Sequence, residues 1–313
     1  MSDTLKESAE KRRRQRQLNV QWAALQTVRW IVTRLPQGVA VALGAFCGRL
    51  ARLVCKRRVD DAEVRCVSVL GVGPTIARRI VKRSYANMGR AAVEMLRLPW
   101  LVKRITRYAD FWGIDNVRRA LSDGKGAILL LGHLDNWEIV NVGLAPHFPL
   151  WAIGADQRDP RVNELIAELR ESTGMTNISK GRGLRGAVSA LKRGVLLGAL
   201  LDQDAKEKGI RLPFLGIEAS TPTGAVRLAD RFGSPILPVQ VVRVSSTKHR
   251  VIIYPPVKGS GGEPGTADIA AVTRRCNDII SGWILAHPDQ WLLWPYPRWG
   301  RPEPEQWRHA LSR

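Results

Sequence analysis

Two side chains in one short run could do acid–base chemistry. His133 and Glu138 stand five positions apart in the stretch AILLLGHLDNWEIV, residues 127–140. A neutral imidazole takes a proton from a hydroxyl near neutral pH. A carboxylate bonded to its other ring nitrogen fixes the tautomer and stabilises the imidazolium. On one continuous helix, five residues would carry the two side chains apart. They converge if His133 lies on a turn and Glu138 in the helix that follows. Residues 127–131 form an unbroken apolar run, the pattern of a strand buried on both faces. Gly132 breaks the run, and Asp135 to Glu138 has the form of a capping box opening a helix. The same residues also fit a plain strand-to-helix junction with an incidental histidine.

Other residues are placed for binding. Arg170 lies at the margin of the inward face of a helix predicted over 160–172, capped by Asp159 with Pro160 in first position. It could reach a site at the sheet edge, or be a solvated helix arginine. Asp202 and Gln203 directly follow an apolar strand at 195–201. Thr223 caps a helix over 224–232, whose N-terminus can receive an anion or a developing oxyanion. Gly181 to Gly186 reads G-x-G-x-x-G, with Asp202 about 20 residues beyond, the form of a dinucleotide fingerprint. The preceding Met175-Thr-Asn-Ile-Ser-Lys180 is short and polar, whereas that fingerprint needs a buried strand, so a basic loop meeting an anionic substrate fits better. There is neither a Gly-x-Ser-x-Gly elbow nor a P-loop. His147, His249, His287 and His309 have no partner at metal-ligand spacing and read as structural or surface residues.

The elements that hold these residues follow from the rest of the chain. Its 313 residues suit one large or two small domains, and 45% apolar content is ample for a core. Forty-nine Lys and Arg against 28 Asp and Glu leave a formal charge of +21, which implies anionic partners: nucleic acid, an anionic membrane face, phosphorylated lipid or an acidic carrier protein. Cys47, Cys55, Cys66 and Cys276 show no metal-binding spacing and read as buried thiols of a reducing compartment. Residues 1–17 read as a basic flexible arm, with Lys11-Arg12-Arg13-Arg14. Leu18, Trp22, Leu25, Val32 and Leu35 then recur at helical spacing among arginines, as in a helix lying in a membrane interface. Residues 38–48 are nearly all apolar but too few to cross a bilayer, and no cleavable signal peptide is read. Residues 56–65 read as a charged connector and 74–98 as a helix with Ile76, Ile80, Met88, Ala92 and Met95 on one face. The stretch 18–110 therefore reads as a helical membrane-associating region, with a buried helical hairpin as the alternative for its first part. From 111 to 313 strands (127–131, 150–154, 195–201, 236–244, 251–254) alternate with helices (136–144, 160–172, 184–192, 224–232, 267–286). This is an α/β domain whose sheet is covered on both sides.

Assembled in order, these segments resemble the bacterial lipid A biosynthesis acyltransferase family (the lauroyl/myristoyl type), within the wider glycerolipid acyltransferases marked by His-x4-Asp/Glu. The resemblance spans residues 20 to 305. It is carried by Ser84–Arg90 with Glu94-Met95, Gly132-His133 through Glu138, Leu169-Arg170 with Gly174 and the Gly181–Gly186 loop, Asp202-Gln203-Asp204, Pro213–Gly216, Thr221–Ala225, Pro288–Trp291, Arg298-Trp299 and Arg301-Pro302. It departs from the family pattern at Tyr296-Pro297, where a His and an Arg are usual, and at Asp135, where a small residue is common. The resemblance implies a mixed central sheet flanked by helices, glycerolipid acyltransferase-like, behind an N-terminal basic amphipathic helical region. It implies His133 as the base and Glu138 as its orienting carboxylate, with direct attack of a lipid hydroxyl on an acyl thioester. Arg170 would steady a phosphate or oxyanion, and Asp202, Gln203 and Thr223 would shape the substrate site. The implied partners are an acyl carrier protein as donor, a phosphorylated glycolipid acceptor and the cytoplasmic face of the inner membrane. No nucleic acid, metal or dissociable cofactor is required. The acceptor stays open to another glycolipid such as a phosphatidylinositol mannoside, and two readings of other classes stay open: a basic membrane or nucleic-acid binding protein working through the Lys11–Arg14 arm, and a nicotinamide enzyme built on the Gly181 loop.

Overall fold

A computed structural model describes residues 2–154, 157–179, 181 and 183–300, with side chains from residue 10 onward. Lys180, Arg301, Pro302 and His309, named above, and position 182 of the glycine-rich loop lie outside the described residues. The run at 127–131 forms strand β2 (Ala127–Leu131), buried at every position. Its side chains alternate between two cores, as the pleat requires: Ile128 and Leu130 in one, Ala127, Leu129 and Leu131 in the other. Around it lie β1 (Ala109–Trp112), β3 (Leu150–Ile153), β4 (Thr176–Ile178), β5 (Leu196–Leu200), β8 (Ile236–Arg243) and β9 (His249–Ile253). The seven strands form one sheet in the order β1-β9-β8-β2-β5-β3-β4. All neighbours are parallel except β8 and β9, so the sheet is mixed. A separate hairpin pairs β6 (Ile210–Phe214) with β7 (Ile217–Thr221).

Helices cover both faces. α8 (Glu138–Leu144) and α9 (Pro160–Glu171) contribute to the core around Leu129, and α10 (Gly183–Lys192), α11 (Gly224–Phe232) and α12 (Ile269–Ala286) to the core around Leu130. Helices on both sides are what the alternating pattern predicts, and the mixed sheet is what the family resemblance implies. α7 (Ile114–Leu121), β1, β4, β6 and β7 were not legible as elements, because each is short and its burial depends on distant neighbours.

The N-terminal part departs further from expectation. α1 (Ser2–Arg34) runs unbroken through the junction expected at 17, so the arm read as flexible is helical as far as described. Its inward stripe does not face outward to a membrane: Val32 is buried, and Trp22 and Leu25, with Leu35 just beyond the helix, pack against the sheet-side core. The charged run at 56–65 is part of helix α3 (Lys56–Leu70), which turns buried Val59, Ala62 and Cys66 inward. Cys66 and Cys276 are buried as expected, whereas Cys47 is exposed and Cys55 half-buried, and all four are free thiols.

α2 (Gln37–Val54) crosses α4 (Pro74–Leu96) through glycine. A Cβ on Gly89 would collide with the Gly44 carbonyl, and one on Gly48 with the Tyr85 carbonyl, so the two backbones touch. The inner face of α4 is partly polar: Ser84, Asn87 and Glu94 are buried, while Ile76 and Ala92, expected on the packed face, are exposed. Those buried polar groups have assigned partners. Ser84 Oγ donates to the Trp291 carbonyl (2.7 Å) and Asn87 Nδ2 to that of Asp289 (2.8 Å), tying the C-terminal segment to the helix.

Candidate active site

Strands β2 and β5 are parallel neighbours, with Leu131 opposite Leu200. Extending that register by two residues sets His133 opposite Asp202 at the carboxyl edge of the sheet, where open α/β sheets hold their ligands. The side chains meet there. His133 Nδ1 lies 2.7 Å from Asp202 Oδ1, and the His133 backbone N–H donates to Asp202 Oδ2, also over 2.7 Å. The Trp291 indole N–H donates to the same Oδ2 at 2.9 Å. Burial alone would raise the Asp202 carboxyl, but the His133 imidazole and these donors outweigh it and hold it below the usual range. Asp202 is fully buried and ionised, so its Oδ1 accepts a hydrogen bond from Nδ1–H, and the lone pair of the neutral ring lies on Nε2. That nitrogen lies 3.3 Å from the Gln203 amide nitrogen, and Gln203 is exposed. The Trp137 ring stands edge-on to the imidazole at 4.7 Å. Gly132 allows the turn, since a Cβ there would come within 2.7 Å of Leu134 Cδ1 and 3.4 Å of Asp202 Oδ2.

The carboxylate that serves His133 is therefore Asp202, expected on the acceptor, and not Glu138. Glu138 faces α9 instead. Arg170 Nη2 and Nε reach its Oε1 at 2.6 and 3.1 Å, Asn141 Nδ2 reaches Oε2 at 2.6 Å, and Arg170 Nη1 donates to Asn177 Oδ1 at 3.2 Å. Arg170 is thus committed to Glu138 and not free to hold a phosphate. The pair ties the start of α8 to α9 and β4. Thr223 stands at the N-cap of α11, but its hydroxyl accepts from Arg227 Nε (3.1 Å) and makes no cap bond to the backbone. Gly186 serves packing: its Cβ would come within 2.5 Å of Ile178 Cγ2 on β4. β4 is a three-residue edge strand, not the central strand a dinucleotide crossover starts from.

The capping box at 135–138 does not form either. Asp135 has φ 46° and is fully buried. It enters a cluster of charges from four elements. Arg243, at the end of β8, reaches Asp135 Oδ1 with Nε (2.7 Å) and Glu94 Oε2 with Nη2 (2.7 Å). His249, opposite Arg243 on β9, lies 2.8 Å from Asp135 Oδ2 and 3.2 Å from Glu94 Oε1. Asn136 Nδ2 also reaches Glu94 Oε2 at 3.1 Å. Burial would lower the His249 imidazole, but Glu94 and Asp135 override it and push it up to about 9. With His249 protonated, two cations balance two carboxylates, and the turn carrying His133 is clamped in place.

Comparison with known proteins gives the family. The family model described as bacterial lipid A biosynthesis acyltransferase matches residues 7–301. The chain belongs to that family. It is similar to the lipid A biosynthesis palmitoleoyltransferase of Escherichia coli K12, 28% identical over 85% of this chain and 86% of that one. The phosphatidylinositol mannoside acyltransferase of Mycolicibacterium smegmatis is 25% identical over 86% and 88%. Among solved structures, the 1-acyl-sn-glycerophosphate acyltransferase of Thermotoga maritima aligns over 74% of this chain and 97% of that one at TM-score 0.35 and 16% identity, too loosely to bear on the site. The protein is an O-acyltransferase, and its relatives act on glycolipids.

In this acyltransferase several residues of the site were not singled out for chemistry by sequence: Trp291 on Asp202, and Glu94, Arg243 and His249 on the turn. Family blocks contained Glu94 and Trp291, but His249 carried no local signal, having no partner near it in the chain. The clamp makes a prediction. A histidine raised from 6.5 to about 9 in the folded state adds stability that is fully present below about pH 6.5 and lost as pH rises through about 9. The thermal midpoint should fall by several degrees between pH 7 and pH 10, and in His249→Gln that part of the slope should vanish. An unchanged slope in the variant would show that His249 is not the titrating group.

Proposed function

We propose that the protein moves a fatty acyl chain from the thioester of an acyl carrier protein to a hydroxyl of a phosphorylated lipid A precursor, at the cytoplasmic face of the inner membrane. The observation that carries the chemistry is the Nδ1-anchored imidazole at the sheet edge, with Nε2 turned to the exposed Gln203 side. An acceptor hydroxyl that takes the place of the Gln203 amide gives its proton to Nε2 as its oxygen attacks the thioester carbonyl. Asp202 stabilises the imidazolium. Collapse of the tetrahedral adduct forms the ester and expels the thiolate, which takes the proton back from His133. No acyl-enzyme is needed. Family membership sets aside the binding-protein and nicotinamide readings as the main activity.

The charge of +21 suits an acidic carrier, a phosphorylated acceptor and an anionic leaflet. The outer face of α2 supports membrane contact: Val39, Leu43, Phe46, Leu50, Leu53 and Val54 are exposed along one side, and Trp30 and Ile31 of α1 are exposed too. α2 has the minimum length to span, but its other face packs on α4 and it carries Arg49 and Arg52, so we read it as lying in the interface. Phe46→Glu with Leu50→Glu should weaken co-sedimentation with anionic vesicles by about tenfold or more, from the loss of two apolar side chains to the acyl boundary. Undiminished sedimentation would remove α2 as the contact.

The test of the reaction is turnover by the purified protein. Acyl carrier thioester and a lipid A precursor are supplied, and mass spectrometry follows the acceptor for the mass of one added acyl chain. A second acceptor, a phosphatidylinositol mannoside, is the alternative favoured by the mycobacterial relatives. Acylation of the mannoside alone would shift the acceptor, and acylation of neither would sink the proposal.

A further inference from the structure

The clamp consumes its own charge. Glu94 and Asp135 are matched at ion-pair distance by Arg243 and protonated His249. Two arginines stand next to it without such partners. Arg49 follows Gly48 on α2 and Arg90 follows Gly89 on α4, and these glycines are where the two helix backbones touch. The crossing thus sets two guanidinium-bearing positions side by side. Arg90 is preset: Nη1 donates to Asn87 Oδ1 at 2.5 Å, while Asn87 is itself held by the Asp289 carbonyl at 2.8 Å. Among the described residues, neither Arg49 nor Arg90 has a carboxylate within ion-pair distance. Burial, Arg243 and Arg49 hold the Arg90 guanidinium below its usual value and outweigh the opposing pull of Asp135 and Glu94.

The place matters as much as the charge. Arg49 adjoins Leu50 on the exposed apolar face of α2, and Arg90 lies within electrostatic reach of Asp135, two residues past His133. A ligand bridging the two arginines would lie between the interfacial helix and the base.

We propose that Arg49 and Arg90 form a phosphate-monoester site that holds the headgroup phosphate of the acceptor lipid while its hydroxyl reaches His133. This rests on the reading of the acceptor as a phosphorylated glycolipid. A monoester carries about −1.5 to −2 at pH 7, which matches two guanidinium groups where a phosphodiester would match one. Arginine forks also bind phosphate oxygens in pairs, which the half-buried, oriented Arg90 is arranged to do.

The test uses the full protein and two readouts. In flotation with phosphatidylcholine vesicles, wild type should prefer phosphatidic acid over phosphatidylglycerol at matched surface charge by about tenfold. Arg49→Gln/Arg90→Gln should lose that preference, while Lys103→Gln/Arg107→Gln, which removes the same charge elsewhere, should keep it. Arg49→Gln alone, at an exposed position, gives a partial loss and serves if the double variant does not fold. Inorganic phosphate is the second arm: competition at millimolar levels assigns the pocket to free phosphate, and insensitivity assigns it to the headgroup. In turnover, the double variant should raise KM for the phosphorylated acceptor about tenfold with kcat held, and leave a dephosphorylated acceptor unaffected. If no glycolipid is acylated but the vesicle preference and its loss persist, the acceptor reading fails and the phosphate site stands. A double variant that keeps the monoester preference, or a control pair that loses it equally, overturns the site.

Discussion

His133→Ala is expected to lower kcat for acyl transfer by about 10³- to 10⁴-fold and to leave the fold intact. The magnitude is that of a general base acting on an alcohol whose own acidity is negligible at neutral pH. The fold should persist because Asp202 keeps two of its three donors: the backbone N–H of residue 133 and the Trp291 indole at 2.9 Å. What it loses is the imidazole, so a modest drop in thermal midpoint is expected alongside the loss of turnover. Binding of the acceptor lipid should change little, since the ring acts on the proton and not on the headgroup. Rate and melting curve measured on the same preparation decide it. Near-wild-type turnover in a folded variant would remove His133 as the base.

Asp202→Asn should cost nearly as much, about 10³- to 10⁴-fold in kcat, for a different reason. Two N–H groups, from the residue 133 backbone and Trp291, point at the Oδ2 position. They require an oxygen there, so the asparagine amide oxygen takes that place and its NH2 faces His133 Nδ1. Nδ1 must then accept, and the ring proton moves to Nε2, where the lone pair was needed. The base is disarmed by its tautomer while the volume is unchanged. Glu138→Gln is the discriminating companion. It weakens the bidentate contact with Arg170, so its expected effect is on stability, with kcat reduced far less than in Asp202→Asn. If the glutamine variant lost turnover and the asparagine variant kept it, the orienting carboxylate would be Glu138 after all.

The two carboxylates show how far linear reading goes. Glu138 was legible as a partner because it is near His133 in the chain and the spacing could be judged. Asp202 was legible only as an acid after an apolar strand, because its pairing with His133 spans 69 positions and depends on β5 lying beside β2. Asp135 was misread as a cap for a related reason. The pattern Asp-x-x-Glu before an apolar run is a local signal, but a buried arginine and histidine from β8 and β9 outbid the helix for that side chain. α4 repeats the lesson: periodicity looks for apolar residues, and its buried face carries Ser84, Asn87 and Glu94. The apolar stripe of α1 is legible in its spacing but its neighbour is not, since hydrophobic spacing reports that a face is covered and not by what.

By itself the sequence determined the strand–turn–helix around His133, the alternation that makes a two-sided sheet, the basic charge and the order of blocks that marks the family. These are local patterns, written in runs of neighbouring residues. Strand order and register decided the rest: which carboxylate meets the imidazole, which arginine is spent on Glu138, and how four charges from separate elements close over one turn. Side chains tens to hundreds of residues apart become partners only when parallel strands bring their ends to a common edge, and no local periodicity encodes that pairing.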